Sequence, residues 1–368
     1  MGLLSFPSTT TLRNSSETLL IGALGGAAFT LLNFPAGLIS GSLLAVAAAA
    51  LIGRPMTVPR PLARVISVLI GISLGAVVTP DTLKGIAAFP VSITVLIVST
   101  ACMVFATTSY LRLVHGWDAQ TALFGASPGA LAQVMLLARE YGVDLRAIAI
   151  VQVVRVVALT IGIPAGLAYF GLTTQGMFLP PSGPIVSFTE LSVLIVVSTG
   201  AAMLLRYVGF PGGLLFGSML GSAVLHGGGF IHAVLPWWIA AAAVIGIGAV
   251  TGSRFANTDP RTLIRYLGAA LGSFAVAVAV ASCFVFLLTT LLHVRVADAV
   301  AAFSPGAQDT MMVLALALHL DPIFIGAHQV SRFLLVSLSL PLLANWLRGT
   351  RVRTRSGRPP PTKPTIED

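Results

Sequence analysis

Two arginines stand out because they carry charge where their surroundings carry none. Arg155 lies eleven residues past Asp144, and Arg332 lies eleven past Asp321, each inside a long apolar run. At about 1.5 Å of rise per helical residue, both sit roughly 16 Å deep, near the middle of a hydrocarbon layer about 30 Å thick. Gln152 and Gln329 precede them by three residues, which places each glutamine on its arginine's helix face. A charge at that depth is expensive and marks a functional interior. Two roles are open for each arginine, holding a substrate or tying up main-chain carbonyls released by a nearby helix break. Asp309, flanked by Gln308 and Thr310, offers a carboxylate in the same half of the chain as Arg332. It could take up H⁺ or Na⁺ as a coupling ion, or neutralise Arg332. Two cations against one carboxylate leave a positive interior, which suits an anion.

The helix breaks are written in the sequence. Ser127-Pro128-Gly129-Ala130 returns as Ser304-Pro305-Gly306-Ala307 at a spacing of 177. Proline followed by glycine halfway along an apolar run interrupts a helix. Gln133 follows the first break, and Asp309 and Thr310 follow the second. The same spacing pairs Asp144 with Asp321, Gln152 with Gln329, Arg155 with Arg332 and Pro164 with Pro341. Upstream, Phe34-Pro35-Ala36-Gly37-Leu38 matches Phe210-Pro211-Gly212-Gly213-Leu214 at 176. So many matches at one spacing identify an internal duplication. One departure from it matters: Asp309 corresponds to Ala132.

The elements that position these residues are membrane helices. Of 368 residues, 56% are hydrophobic and only 9% charged, with a mean hydropathy of +0.95. Globular domains carry about 25% charged residues, so this composition excludes a soluble enzyme core. The regions expected are an N-terminal segment 1–16, a first repeat 17–171, a Gly/Pro/Ser-rich linker 172–186, a second repeat 187–347 and a basic disordered tail 348–368. Each repeat holds six apolar segments. The N-terminus has no cleavage pattern and reads as leading into a retained helix.

Arginine placement chooses the topology, because basic loops stay cytoplasmic. If every segment crosses, the clusters at 54–64 and 254–265 fall on opposite sides. If the S-P-G-A segment of each repeat returns to its own side, both clusters and the tail lie inside. The expected fold is therefore an all-α integral membrane protein of two inverted repeats. It has about ten transmembrane helices plus two broken or re-entrant S-P-G-A segments, and both termini are cytoplasmic.

Other features carry less. Five arginines and Lys363 in the last 21 residues account for much of the net charge of +9. They read as a tail facing anionic lipid. Six scattered histidines and two cysteines within apolar runs form no metal-ligand spacing. His319 and His328, nine apart, could line a cavity mouth or bond locally. Gly37, Gly41, Gly213 and Gly217 make small-xxx-small packing faces.

The paired F-P-x-G-L and S-P-G-A elements on a duplicated chain resemble the bacterial membrane-bound AbrB duplication family. The resemblance covers about 17–347. Members often carry the labels ammonia monooxygenase or AbrB family regulator, and they are unlike the small DNA-binding AbrB protein. In organisation the family is similar to the cation/proton antiporter and anion transporter group, which implies that the two S-P-G-A stretches are its broken helices. That group often has paired intramembrane carboxylates, and here only Asp309 stands beside a break.

Together these readings lead us to expect a secondary transporter of a small, anionic solute in the bacterial inner membrane. It would work by alternating access at a midplane site between the inverted repeats. The candidate site comprises Ser127, Pro128, Gly129, Gln133, Gln152 and Arg155 with Ser304, Pro305, Gly306, Asp309, Thr310, Gln329 and Arg332. No catalytic residue, metal or cofactor is expected beyond a coupling ion, H⁺ or Na⁺. The expected partners are the bilayer, a small-molecule substrate and, as an option, a second copy in a homodimer, with no nucleic acid. The alternative is a membrane-embedded regulator or receptor of gene expression, and a metal-dependent monooxygenase is the weaker third reading.

Overall fold

The computed structural model describes residues 9–76, 89–128, 134, 135, 138, 141–172, 187–210, 212–256, 258–306 and 308–356. Among them the chain is all-helical, with thirteen α-helices. The first half holds α1 (Thr9–Leu31), α2 (Gly37–Leu51), α3 (Arg60–Gly75), α4 (Phe89–His115), α5 (Ala119–Ala126) and α6 (Leu145–Tyr169). The second holds α7 (Phe188–Tyr207), α8 (Gly213–Gly227), α9 (Trp237–Gly252), α10 (Pro260–Leu292), α11 (Val296–Phe303), α12 (Gln308–Ala317) and α13 (Pro322–Ser356). Six stretches are long and apolar enough to cross a bilayer: 89–115, 145–169, 188–207, 237–255, 260–292 and 322–347. With α2 and α8 as shorter apolar helices, this is a multi-pass membrane architecture.

Local chemistry sets the helix starts. Asp118, Asp144, Asp259 and Asp321 each accept the main-chain N–H groups two and three residues ahead, satisfying donors that a helix leaves free. Equivalent positions share backbone shape. The residues before α2 and α8, Ala36 and Gly212, are both left-handed, and both helices run 15 residues. α3 and α9 run 16 residues, and α5 and α11 run 8.

The helices sort into two bundles, each mixing the halves. α1, α2 and α3 pack with α7, α8 and α9, while α4, α5 and α6 pack with α10, α11, α12 and α13. The first bundle is held by close backbone approach. A Cβ placed on Gly41 would fall 2.2 Å from the Gly25 carbonyl oxygen, and one on Gly217 would fall 2.6 Å from that of Ala201. Glycine is what lets these pairs meet. α12 lies between the bundles, touching α3 and α9 as well as α6, α11 and α13. Met311 through Ala317 are buried around its whole circumference, as a helix apolar on every side requires.

Two boundaries differ from the sequence expectation. α1 begins at Thr9, eight residues before the apolar segment, because Thr, Ser and Asn at its start lower hydropathy without preventing helix. α13 continues to Ser356, nine residues into the stretch read as disordered tail; arginine is a good helix former and extends the last turns.

Candidate functional site

α5 stops where Ser127 and Pro128 turn the chain out of helical geometry. Its last carbonyls then have no partner within the helix. Arg155, reaching across from α6, fills that role: Nη2 donates to the Gly125 oxygen at 2.9 Å and Nη1 to that of Ala126 at 3.4 Å. Gln152, one turn earlier on the same face, donates from Nε2 to the oxygens of Ser127 (2.9 Å) and Phe124 (3.3 Å). A cation at a helix C-terminus also opposes the negative end of the helix dipole.

The second break repeats this. α11 ends at Phe303, and Arg332 of α13 donates from Nη2 to the Ala302 oxygen at 2.5 Å and from Nη1 to that of Ser304. Gln329 donates to the Ala301 oxygen at 3.3 Å, and its own carbonyl accepts from Gln308 Nε2 at 3.1 Å. Arg155 and Arg332 are each only 2% exposed. The Nε–H of each finds no acceptor among the described residues. Each guanidinium is therefore a staple with a donor to spare.

α12 starts at the second break and carries Thr310, buried, into the interior. The far end of α12 comes back beside the start of α11, where the Asp298 carboxylate accepts the Asp321 N–H at 2.9 Å. Phe89, the first residue of α4, stacks edge-on with Phe324 at 5.6 Å, so α4 begins at this same end. The starts of α5 and α6 lie at the other end of α4. There His115, Trp117, Asp118, Thr121, Asp144, Arg265 and Tyr266 surround a polar pocket of about 350 Å³. Tyr266 donates its hydroxyl to Asp144 at 2.8 Å. Burial works against the Asp144 charge, but this bond and the N–H groups of Ala147 and Arg146 outweigh it and hold the carboxyl below its usual range. Asp321, in the corresponding place, goes the other way: burial raises it, and the charge of Asp298 adds to that.

The structure thus brings together Ser127, Pro128, Gln152 and Arg155 at one break and Ser304, Pro305, Gly306, Thr310, Gln329 and Arg332 at the other. Gly129, Gln133 and the Asp309 side chain lie outside the described residues, so the coupling role weighed for Asp309 remains with the sequence reading. His328 does not line a cavity mouth. It is fully buried against Phe89, Phe303 and Phe324, with Nδ1 2.7 Å from the Phe324 oxygen. Sequence reasoning missed Asp298, 4% exposed and paired with Arg295 at 3.6 Å. An acid inside the apolar stretch 296–303 was the available signal. Among the described residues, no three His, Cys, Asp or Glu side chains converge as a metal site would need.

Long apolar helices, with buried arginines set against the ends of α5 and α11, define a multi-pass membrane protein. Residues 38–348 match the family described as "Transition state regulatory protein AbrB". The chain belongs to that AbrB family. It is 28% identical over 331 residues to the Escherichia coli (strain K12) protein named "Putative regulator AbrB", covering 87% of this chain and 92% of that one. It is 25% identical over 345 residues to the protein YhjN of Bacillus subtilis (strain 168), uncharacterized by name, covering 87% and 90%.

Proposed function

We propose that this protein is a secondary transporter of a small, anionic solute, working by alternating access at a site between two oppositely oriented repeats. The opposite orientation is supported by where the broken segments open. α11 and α12 together are long enough, at about 27 Å, to cross most of the hydrocarbon, yet the Asp298–Asp321 bond holds their outer ends side by side. The segment therefore enters and leaves by one face. The start of α5 lies at the opposite end of α4. Two re-entrant segments opening to opposite faces leave five crossings in each repeat, and inverted repeats with discontinuous helices are the working plan of secondary transporters.

The observation that carries the reading is the pair of buried guanidiniums, each tied to a break and each with an Nε–H that has no acceptor among the described residues. In lipid such groups must face protein, water or a ligand. Two guanidiniums against the one carboxylate that the sequence places beside a break, Asp309, leave a positive interior, and an anion is the solute that relieves it.

The test has two arms. A thermal-shift screen of carboxylates, amines and nucleobases on detergent-purified protein is expected to select anions, since a ligand stabilises the state it binds. Stabilisation by amines alone would overturn the charge assignment. Cysteines introduced at 60 and 260 should label from the same side of the membrane; labelling from opposite sides would remove the inverted arrangement. A second reading, a membrane-embedded regulator, is favoured by the name of the Escherichia coli relative and by the basic helical extension of α13.

A further inference from the structure

Two grooves run along the second bundle, and they are one groove built twice. The first, about 370 Å³, lies between α4 and α13; the other, about 790 Å³, lies between α10 and α6 and reaches the break at Ser304 and Pro305. Their linings correspond at the spacing of 177 residues, as in Thr108 and Val285, Leu123 and Val300, or Leu159 and Val336. The larger volume of the second follows from Gly162 and Gly166 standing where the first has Ser339 and Leu343.

The two differ at their ends. Arg112 closes the α4–α13 groove where its counterpart has Thr289. Arg112 is exposed, and no carboxylate pairs with it among the described residues. Trp346 lies beside it, largely exposed, as interfacial tryptophans are. From Arg112 the groove runs twelve residues along α4 to Thr100, roughly 18 Å. One leaflet's hydrocarbon is about 15 Å deep. Phe105 on its rim is 76% exposed, so the groove opens sideways and not toward the interior. One turn deeper than Arg112, the Thr108 hydroxyl has no partner among the described residues.

We propose that the α4–α13 groove binds an anionic phospholipid, with one acyl chain along the apolar wall and the phosphate on Arg112. Thr108 sits at the depth of the glycerol esters, but its hydroxyl oxygen is buried, so the phosphate on Arg112 is the polar contact. An anionic headgroup is selected because Arg112 supplies a net charge that the ammonium of a zwitterionic lipid would partly offset. A soluble anion has no use for an apolar trough one leaflet long. The Thr289 groove, having no cation, shows no such preference. The inference stands apart from the transport reading, since it concerns a lipid-facing groove whatever solute is moved.

The test reads Trp346 in full-length protein carrying Trp117→Phe, Trp237→Phe and Trp238→Phe, reconstituted in phosphatidylcholine vesicles. Phosphatidylglycerol with brominated acyl chains is expected to quench Trp346 at about fivefold lower mole fraction than brominated phosphatidylcholine, the ratio one arginine gives near a membrane surface. Arg112→Ala should abolish the difference and Arg112→Lys should keep it. Equal quenching by both lipids in the parent, an Arg112→Ala preference left intact, or no quenching by either, as when a second copy covers the groove, would overturn the proposal. Should the three tryptophan replacements prevent folding, native mass spectrometry of the otherwise unaltered protein decides. Arg112→Ala must lose a co-purifying anionic phospholipid, and an unchanged lipid complement overturns the assignment equally.

Discussion

The carboxylate of Asp298 accepts the main-chain N–H of Asp321 at 2.9 Å across 23 residues of chain. This bond joins the first turn of α11 to the start of α13. The carboxylate also faces Arg295 at 3.6 Å. Asp298→Ala leaves a partly buried N–H without that acceptor, which costs on the order of 1 kcal/mol. We expect a lower melting temperature for that variant in differential scanning fluorimetry, and recovery of most of it in Asp298→Asn, which keeps an acceptor oxygen. An alanine variant that melts with the parent would mean that the start of α13 is held to α11 by something else.

Asp144 and Asp321 cap α6 and α13 in the same way but should answer pH in opposite senses. The folded Asp144 carboxyl is held below its usual range. The stability it adds is therefore present above about pH 4, where the unfolded group ionises, and is lost as pH falls through its lower folded value. Asp321 is raised, so its contribution is full below about pH 4 and shrinks as pH rises through its higher folded value. At neutral pH, Asp144→Asn should lower the melting temperature, whereas Asp321→Asn, which can still cap, should leave it unchanged or raise it. Tyr266→Phe should reproduce part of the Asp144→Asn effect. Identical pH–melting curves for the two asparagine variants would contradict the assignment.

Arg155 and Arg332 each serve two carbonyls that no helix bond can reach. Alanine at either position takes a donor from those oxygens, at about 1–3 kcal/mol for each one left unpaired; the Ser304 oxygen still accepts the Gly306 N–H at 2.8 Å. Lysine keeps the charge but loses the fork that spans two acceptors, so it should restore stability only in part. The transport reading adds a separate expectation: anion-induced thermal shifts disappear in the alanine variants even when folded yield is rescued by low temperature. Retained anion shifts in folded Arg155→Ala and Arg332→Ala would leave the arginines as staples alone.

The contact between α1 and α2 turns on Gly25 and Gly41, whose Cβ positions would each fall within 2.4 Å of the other's carbonyl oxygen. Backbone cannot yield as a long side chain does. Gly41→Ala should therefore destabilise by about 1–3 kcal/mol, and Gly41→Val by more. Gly116, with open space around its Cβ but a left-handed backbone (φ 66°), offers a contrast. Gly116→Ala should cost about 1 kcal/mol through backbone strain alone. Thermal unfolding in one detergent ranks the three, and an order other than Gly41→Val, Gly41→Ala, Gly116→Ala would contradict the packing account.

Much of this was legible in the residues because proline and glycine act locally. Pro305 has no N–H to give a helix, and α11 duly ends at Phe303 with α12 starting at Gln308. Arg155 and Arg332 announced themselves by charge in apolar runs, and both proved to lie beside the breaks. What stayed hidden depends on contacts between distant residues. Nothing near His328 in sequence records that Phe89, over two hundred residues away, would seal it from solvent. Asp298 was obscured because its counterpart in the first repeat is Thr121, so the comparison that exposed the arginines passed over it. Helix limits at Thr9 and Ser356 escaped because apolar periodicity reports burial in lipid, and a polar helix outside the lipid has none.

The helical run to Ser356 changes how the transporter and regulator readings should be separated. Removing everything after residue 348 would cut α13 itself, whose Trp346 and Leu347 line the α4–α13 groove. Truncation after Ser356 leaves that helix whole and removes Arg358 and Lys363 with the end of the chain. A transporter needs only its membrane bundle, so this truncation should keep the parent's anion-induced thermal shift and melt within about 1 °C of it, as surface changes away from packing usually do. A regulator that speaks through a cytoplasmic partner should lose its transcriptional output while keeping any ligand response. The two measurements, thermal shift on purified protein and transcript change in a host lacking the chromosomal copy, answer separately. Loss of the ligand response on removing 357–368 would place the tail inside the transport machinery, against the architecture in which the two breaks alone form the site.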